Sequence, residues 1–455
     1  FFMKKLQRHF YQLNASQQVV ALQGKYTLFK QVMNIVTYAK CDFKVDADKM
    51  KKAFDLVVER NDCMRIRFKK KGGSLKQYFA DQAKTRDIKT LLFTTEEEKK
   101  RFFLKYRKRP LKYLRGQVFD VNFAVDSDGK FMVVLKVCHL ILDTFGIGVI
   151  YQDLFAVYDA LVNGKETPPP TGSFEEVLKR DIAAENNPDV KKKNFEFFDN
   201  YLKMKEPPYY AGVHGKKSPI WQKQLKKGSR SMPMFFFNCQ TKAYMYDIDA
   251  KTVKKVSEYC AKNRYTMANF FLFCYSVVAS KINGDIKNMI PLELCNCRGT
   301  VAEKRAAGTK VQSIACYTTV EKEKSFAQNF ADFCANQNKL YRHIGFSDVE
   351  YEKMFNRIYK ASFLETYYSI TFSFIPVKKI DGVSVQMVSN GKFVLPCYVG
   401  MLYDVDGGGI QVFYDCQAKI ISKEDVRRFH YAMTDLAKQV ADNPDAILKN
   451  IQVEK

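Results

Sequence analysis

The run Phe131 to Val137, Phe-Met-Val-Val-Leu-Lys-Val, constrains this chain more than any other segment. A nearly continuous apolar strand buries both of its faces, so other elements must cover both sides of its sheet. The next segment supplies one cover, because Ile147, Ile150, Tyr151, Leu154, Val157, Tyr158 and Leu161 share one helical face. Upstream, Met50, Ala53, Phe54, Val57 and Val58 mark a helix within Asp46 to Arg60, flanked by strands in Leu28 to Phe43 and Met64 to Phe68. Downstream, Phe174 to Lys205, broken near Pro188, and Ala250 to Lys281 read as helical. Ser369 to Val377 and Phe393 to Asp415 read as strands, the latter turning at Asp406-Gly-Gly-Gly409. A closing helix starts near Ser422, where Ser422 and Asp425 stand at capping-box spacing. The alternation predicts an α/β (α+β) class with mixed sheets.

At 455 residues the chain exceeds a single core and should fold as two lobes. Three prolines between glycines, Asn163 to Gly172, place the boundary: an N-terminal lobe 1–170 and a C-terminal lobe 171–455. Seventy-four Lys and Arg against 49 Asp and Glu give a net charge of +25, which suits an acidic partner. A lysine-rich surface as an organismal habit fits equally well. No nucleic-acid-binding motif accompanies the charge, so nucleic acid is not expected as a partner. The twelve cysteines are scattered without a CxxC pair, which disfavours a metal site. With no basic-then-apolar signal at the amino end, a reducing, cytoplasmic compartment is expected. The longest uncharged, largely apolar stretch, Tyr265 to Ser280, falls short of the roughly 20 residues that a membrane span needs.

Only five histidines are available for proton chemistry. His9, His214 and His430 read as solvated or rim residues, and His343 has no carboxylate near it in sequence. His139 differs, because it ends the apolar strand and is followed by Leu-Ile-Leu-Asp143 and Thr144-Phe-Gly146 before a helix. Sites cluster at such strand-to-helix turns. The HxxxD spacing puts an imidazole and a carboxylate on one turn, which suits a base on a structured loop and equally a structural residue at a strand end. Strand alternation turns the neighbouring Cys138 to the opposite face, so it is not expected to act as a nucleophile. The aromatics Phe235 to Phe237 and Tyr209-Tyr210 read as core packing rather than the lining of an apolar channel.

Several segments, in order, resemble the condensation domains of nonribosomal peptide synthetases, whose superfamily includes chloramphenicol acetyltransferase and the plant BAHD acyltransferases. Leu13-Asn-Ala-Ser-Gln17 is similar to the family's opening Leu-Ser-x-x-Gln, and Arg60 to Phe68 resembles RHxxLRTxF. Val137-Cys138-His139-Leu-Ile-Leu-Asp143 resembles the active-site HHxxxDG, with Cys138 in place of the first histidine and Thr144 in place of the glycine. Pro291 to Val320, with Arg298, Gly308 and Ile314 to Thr319, is similar to a later arginine and strand. Phe372-Ser-Phe374 and the closing helix before Asn443-Pro444 also match.

The resemblance implies two chloramphenicol-acetyltransferase-like lobes in a V, with the active site in a tunnel between them. It makes His139 the general base or the group orienting the attacking amine or hydroxyl. It makes Asp143 the partner of an arginine, Arg298 first by position and Arg65 second. The implied function is a free-standing condensation-type acyltransferase that moves an acyl or aminoacyl group from a carrier-protein thioester to an amine, forming an amide, or to a hydroxyl. The acyl substrate would be tethered through phosphopantetheine or linked to CoA, with no bound cofactor or metal. An acidic acyl or peptidyl carrier protein and an amine-bearing acceptor are the implied partners, and the positive charge would steer the former. The alternative, motivated by Cys138 and Thr144, is a catalytically degenerate domain that recruits a partner protein.

Overall fold

Every residue of the strand Phe131–Cys138 is buried in the computed structural model, which describes residues 8–453 apart from 84, 86 and 363. Residues 1–7, at the amino end on which the signal-peptide reading rests, lie outside the described residues. The strand is central in a five-stranded sheet ordered Val383–Val388, Asn34–Cys41, Phe131–Cys138, Phe119–Val125 and Thr90–Leu92. Its two faces meet different layers. Val133, Leu135 and Val137 pack with Phe54, Val57, Ile150 and Leu154 of the helices Ala47–Arg60 and Thr144–Val162. Met132 and Val134 pack with Phe103 and Tyr106 of the helix Glu96–Tyr106.

Lys136, the one charge in the strand, is buried on this second side. Its ammonium lies 3.8 Å from the Tyr106 ring and donates to the carbonyls of Tyr106 (3.2 Å) and Arg109 (3.3 Å), so it occupies the negative end of the helix Glu96–Tyr106. Burial pulls its pKa down to about 8.

The helix Thr144–Val162 is long and apolar enough to cross a bilayer by length and composition, a property not expected from the sequence. More than half of it is buried inside the protein, as in a core helix.

Two compact units divide the chain, and the division differs from a boundary at 170. The first comprises Phe1–Val190, Asn296–Val311 and Lys379–Asn390, and the second Lys191–Cys295, Gln312–Lys378 and Gly391–Lys455. The proline run does not part them because hydrogen bonds pin it to the first unit. Arg60 donates to the carbonyl of Pro169 (3.0 Å), Thr171 to the Asn61 side chain (2.6 Å), and the Ser173 hydroxyl to Asp62 (2.6 Å). The returning segment Val383–Val388 adds an antiparallel edge strand, Gln386 opposite Tyr38.

In the second unit the main sheet follows the order Gln312–Ala315, Asn288–Cys295, Tyr368–Val377, Cys397–Asp404, Ile410–Gln417 and Thr241–Ile248, with Thr318–Thr319 also paired to Asn288–Cys295. Tyr368–Val377 runs parallel to both its neighbours and the other pairs are antiparallel, so the sheet is mixed. The helical stretch predicted from Ala250 to Lys281 is two helices, Ala250–Asn263 and Met267–Ile282. Arg264 at φ 58° ends the first, and the Thr266 side chain caps the second. Ser422 and Asp425 form the expected capping box on Lys423–Asp442.

Two histidines expected at the surface are buried here. His214 donates from Nδ1 to the Gly215 carbonyl (2.6 Å), which leaves Nε2 to accept from the Tyr210 hydroxyl (3.1 Å). His430 meets the Tyr414 hydroxyl at 3.1 Å and stacks on Tyr246. Hydropathy misplaces such residues because aromatic neighbours solvate the imidazole in place of water. The aromatic run is only partly core: Tyr210 and Phe235 are buried, whereas Phe237 is 77% exposed.

Candidate active site

The site grows from the end of the strand Phe131–Cys138 and lies within the first unit. Cys138 closes the strand with its N–H donated to the Val118 carbonyl (2.7 Å). Its thiol is buried in the core, and burial pushes its pKa up to about 12, so it stays protonated at neutral pH and is no nucleophile.

His139 follows, and its backbone is held at both ends. The N–H donates to the Met33 carbonyl (2.7 Å), and the carbonyl accepts from the Thr309 hydroxyl (2.6 Å). The Thr309 carbonyl in turn accepts from Asn14 Nδ2 (3.1 Å). Asn14 and Gln17 form a capping box at the start of the helix Ala15–Tyr26, and Gln17 Nε2 donates to the Leu140 carbonyl (2.7 Å). Gln17 and Gln77, both fully buried, also bond each other through their side-chain amides. The segment Leu13 to Gln17 therefore buttresses the turn that carries His139.

The His139 residue is partly exposed, while its Nδ1 is buried and makes no well-formed hydrogen bond among the described residues. Burial lowers its pKa from the ordinary value. The Asp143 charge and the nearby backbone of His139 and Leu142 oppose that shift without cancelling it. The ring is thus neutral at pH 7 and can accept a proton.

Asp143 has a different task. Its Oδ1 accepts the Gly146 N–H (2.7 Å) and so caps the helix Thr144–Val162. Arg298 grips both carboxylate oxygens, Nη1 to Oδ2 at 3.0 Å and Nη2 to Oδ1 at 3.1 Å, and the Lys310 N–H adds a fourth bond at 2.8 Å. Asp143 is 3% and Arg298 5% exposed. A pair this deep is stable only because the remaining donors are satisfied. Arg298 Nη2 reaches the Gly308 carbonyl (2.8 Å), Nη1 reaches the Asn296 carbonyl (3.1 Å), and the guanidinium sits 4.6 Å from the Phe145 ring. Arg65, the second candidate partner, instead donates to the Ala80 carbonyl (2.6 Å).

The tight backbone approach at this turn falls two residues beyond Thr144. A Cβ at Gly146 would meet the Gly308 carbonyl oxygen at 2.8 Å, and one at Gly308 would lie 2.0 Å from the Phe174 ring. Glycine is therefore needed at 146 and 308, and Thr144 is the partly exposed first residue of the helix. Thr309 and Gln77 carried no signal in the sequence, because side-chain bonds to distant groups leave no periodicity. Asn14 and Gln17 had one, the resemblance of Leu13-Asn-Ala-Ser-Gln17 to the family's opening segment.

A family model described as Condensation domain matches residues 7–454. A plipastatin synthase chain of Bacillus subtilis (strain 168) is 18% identical over 456 residues, covering 98% of this chain and 17% of the relative. Surfactin synthase subunit 1 of the same organism is 18% identical over 418 residues, covering 90% of this chain and 11% of the relative. The chain thus spans under a fifth of the length of these curated relatives. Among solved structures, a mutant starter condensation domain of rhizomide synthetase in complex with C8-CoA and Leu-SNAC has a TM-score of 0.81 at 14% identity, covering 98% of each chain. The first condensation domain of the calcium-dependent antibiotic synthetase in complex with substrate analogue 2a has a TM-score of 0.80 at 13% identity, covering 98% of this chain and 100% of that one. At these identities the likeness is one of fold.

Proposed function

The chain belongs to the condensation-domain family, and from that premise we propose that it transfers an acyl or aminoacyl group from a carrier-tethered or CoA thioester to an amine, forming an amide, with a hydroxyl as the lesser acceptor. The observation that carries this reading is the neutral His139 imidazole on a turn whose backbone is tied at both ends. In the step, the acceptor nitrogen attacks the thioester carbonyl carbon as His139 takes or orients its proton. The C–S bond then breaks and the proton goes to the departing thiolate. Positioned base catalysis contributes about 100-fold to 10,000-fold, and orientation of the two substrates contributes more. Asp143 and Arg298 touch neither reactant in this scheme. They hold the turn and the start of the helix Thr144–Val162 in place. The relative solved with C8-CoA and Leu-SNAC supports a thioester donor, and an acidic carrier protein fits the charge of +25.

The test is to incubate the protein with acyl-CoA or acyl-pantetheine thioesters and a panel of amines and alcohols, and to follow the product by mass spectrometry. Amide formed above the uncatalysed rate supports the proposal. Carrier-protein binding with no transfer to any acceptor would favour the second reading, a recruiting domain. That reading draws on Cys138 and Thr144, which stand where the resemblance has a histidine and a glycine.

A further inference from the structure

A cavity of about 300 Å³ opens in the second unit, and its lining includes neither His139 nor the residues that hold its turn. Three elements wall it: the loop Val213 to Lys217, the end of the helix Met267–Ile282 with Gly284, and the start of the helix Lys423–Asp442. We propose that it binds a small phosphate-bearing molecule with an apolar portion, the phosphate held by Lys216, Lys217, Lys281 and Arg428 over a floor of Ile282 and Phe429.

The charge balance motivates the ligand. Four cationic side chains line the cavity against one carboxylate, Asp425. That carboxylate is already engaged, since it closes the capping box with Ser422 (2.7 Å from the hydroxyl) and pairs with Arg428 (2.9 Å). Among the described residues, Lys216, Lys217 and Lys281 make no side-chain hydrogen bond or ion pair. Arg428 Nε is buried and has no hydrogen-bond acceptor among the described residues.

Cations do gain from the carbonyl end of a helix. That accounts for one lysine near residue 282, not for three with an arginine. Burial also lowers the Lys281 pKa, with Asp285 only partly opposing it, so this ammonium lacks the water that would otherwise stabilise it. A dianionic phosphate supplies charge and three acceptor oxygens at once, which a single carboxylate does not.

The walls are built to stay open. His214 is locked between the Tyr210 hydroxyl and the Gly215 carbonyl, and Asn283 ties the Gly212 carbonyl (2.9 Å) to the helix end at Ala279 (2.8 Å). Gly284 leaves room for the Lys216 ammonium, since a Cβ there would fall 2.0 Å from its Nζ. The volume and the apolar floor suit a compact ligand.

Titration calorimetry at low salt tests the site with inorganic phosphate and phenyl phosphate as probes. Three proteins are compared: the unmodified chain, the double variant Lys216→Ala/Lys281→Ala, and a control, Lys191→Ala/Lys192→Ala/Lys193→Ala, on the exposed helix Pro188–Lys203. Phenyl phosphate should bind at one site, more tightly than inorganic phosphate. The double variant should weaken it about tenfold or more, as loss of charge-assisted bonds requires, and the control should leave it unchanged. Lys217→Ala carries the same expectation if the double variant fails to fold. Absence of saturable binding overturns the proposal, as does equal weakening by the control, which would reduce the effect to general surface charge.

Discussion

His139, partly exposed, and His430, buried, both have lowered pKa values, yet the proposed function gives them different uses. At His139, the proposed base, burial lowers the pKa from the ordinary histidine value. The acid limb of kcat/KM for acyl transfer should accordingly fall below pH 6.5, the unperturbed value. A pH profile whose acid limb lies above 6.5 contradicts that role. At His430 burial takes the pKa down to about 4, and the consequence is for stability alone. Below pH 6.5 the unfolded chain binds a proton at this position and the folded chain does not. Stability conferred by the neutral ring is therefore full above 6.5 and lost as the pH falls toward 4, by about 3 kcal/mol in total. Chemical denaturation at pH 7.5 and pH 5 should show a smaller loss for His430→Phe than for the unmodified chain. An equal loss would mean that the ring is protonated in the folded state.

The turn from His139 to Gly146 works as one element with the loop Asn296 to Thr309, and its energetics follow from burial. Asp143→Ala strands the Arg298 guanidinium and uncaps a helix, so it should cost about 3 to 5 kcal/mol, more than His139→Ala. Denaturant midpoints of the two variants check the order, and a reversed order refutes the ion pair as the brace. Gly308→Ala drives a methyl group to within 2.0 Å of the Phe174 ring and should lower both stability and transfer rate. Gly148→Ala, with nothing within 4 Å of its Cβ, should instead stabilise the helix Thr144–Val162 by about 0.5 to 1 kcal/mol. Thermal melts of the pair separate the two effects.

Legibility divides along the same line. The strand, the helix after it and the HxxxD spacing are local patterns, and the sequence carries them openly. The Asp143–Arg298 pair joins residues 155 apart, and it was anticipated only through a family resemblance. The Thr309 bond to the His139 carbonyl had no precursor in any pattern, because a hydroxyl meeting a distant backbone oxygen imposes no spacing.

For the whole molecule, the sequence suggested two lobes, but the bounds of the two units escaped it because Asn296–Val311 and Lys379–Asn390 return to the first unit long after the chain has left it. Proline content marks turns and does not mark such returns. The net charge of +25 was visible at once, but its placement needed the structure. Lys191 to Lys193 stand exposed on a helix, and the exposed Lys71 places its ammonium 3.7 Å from the Phe10 ring. Association with an acidic carrier protein should slow as salt rises and the screening length shrinks to about 8 Å at physiological ionic strength. Stopped-flow rates at low and high salt measure this, and a rate indifferent to salt removes charge from the account of recognition. The most direct measurement of the central claim is single-turnover transfer from an acylated carrier protein to an amine, with the unmodified chain and His139→Ala compared by intact-protein mass spectrometry. The prediction is discharge of the carrier with amide formed by the unmodified chain, and a rate lowered about 100-fold or more in a His139→Ala variant that melts as the parent does. Equal rates in the two folded proteins would contradict it.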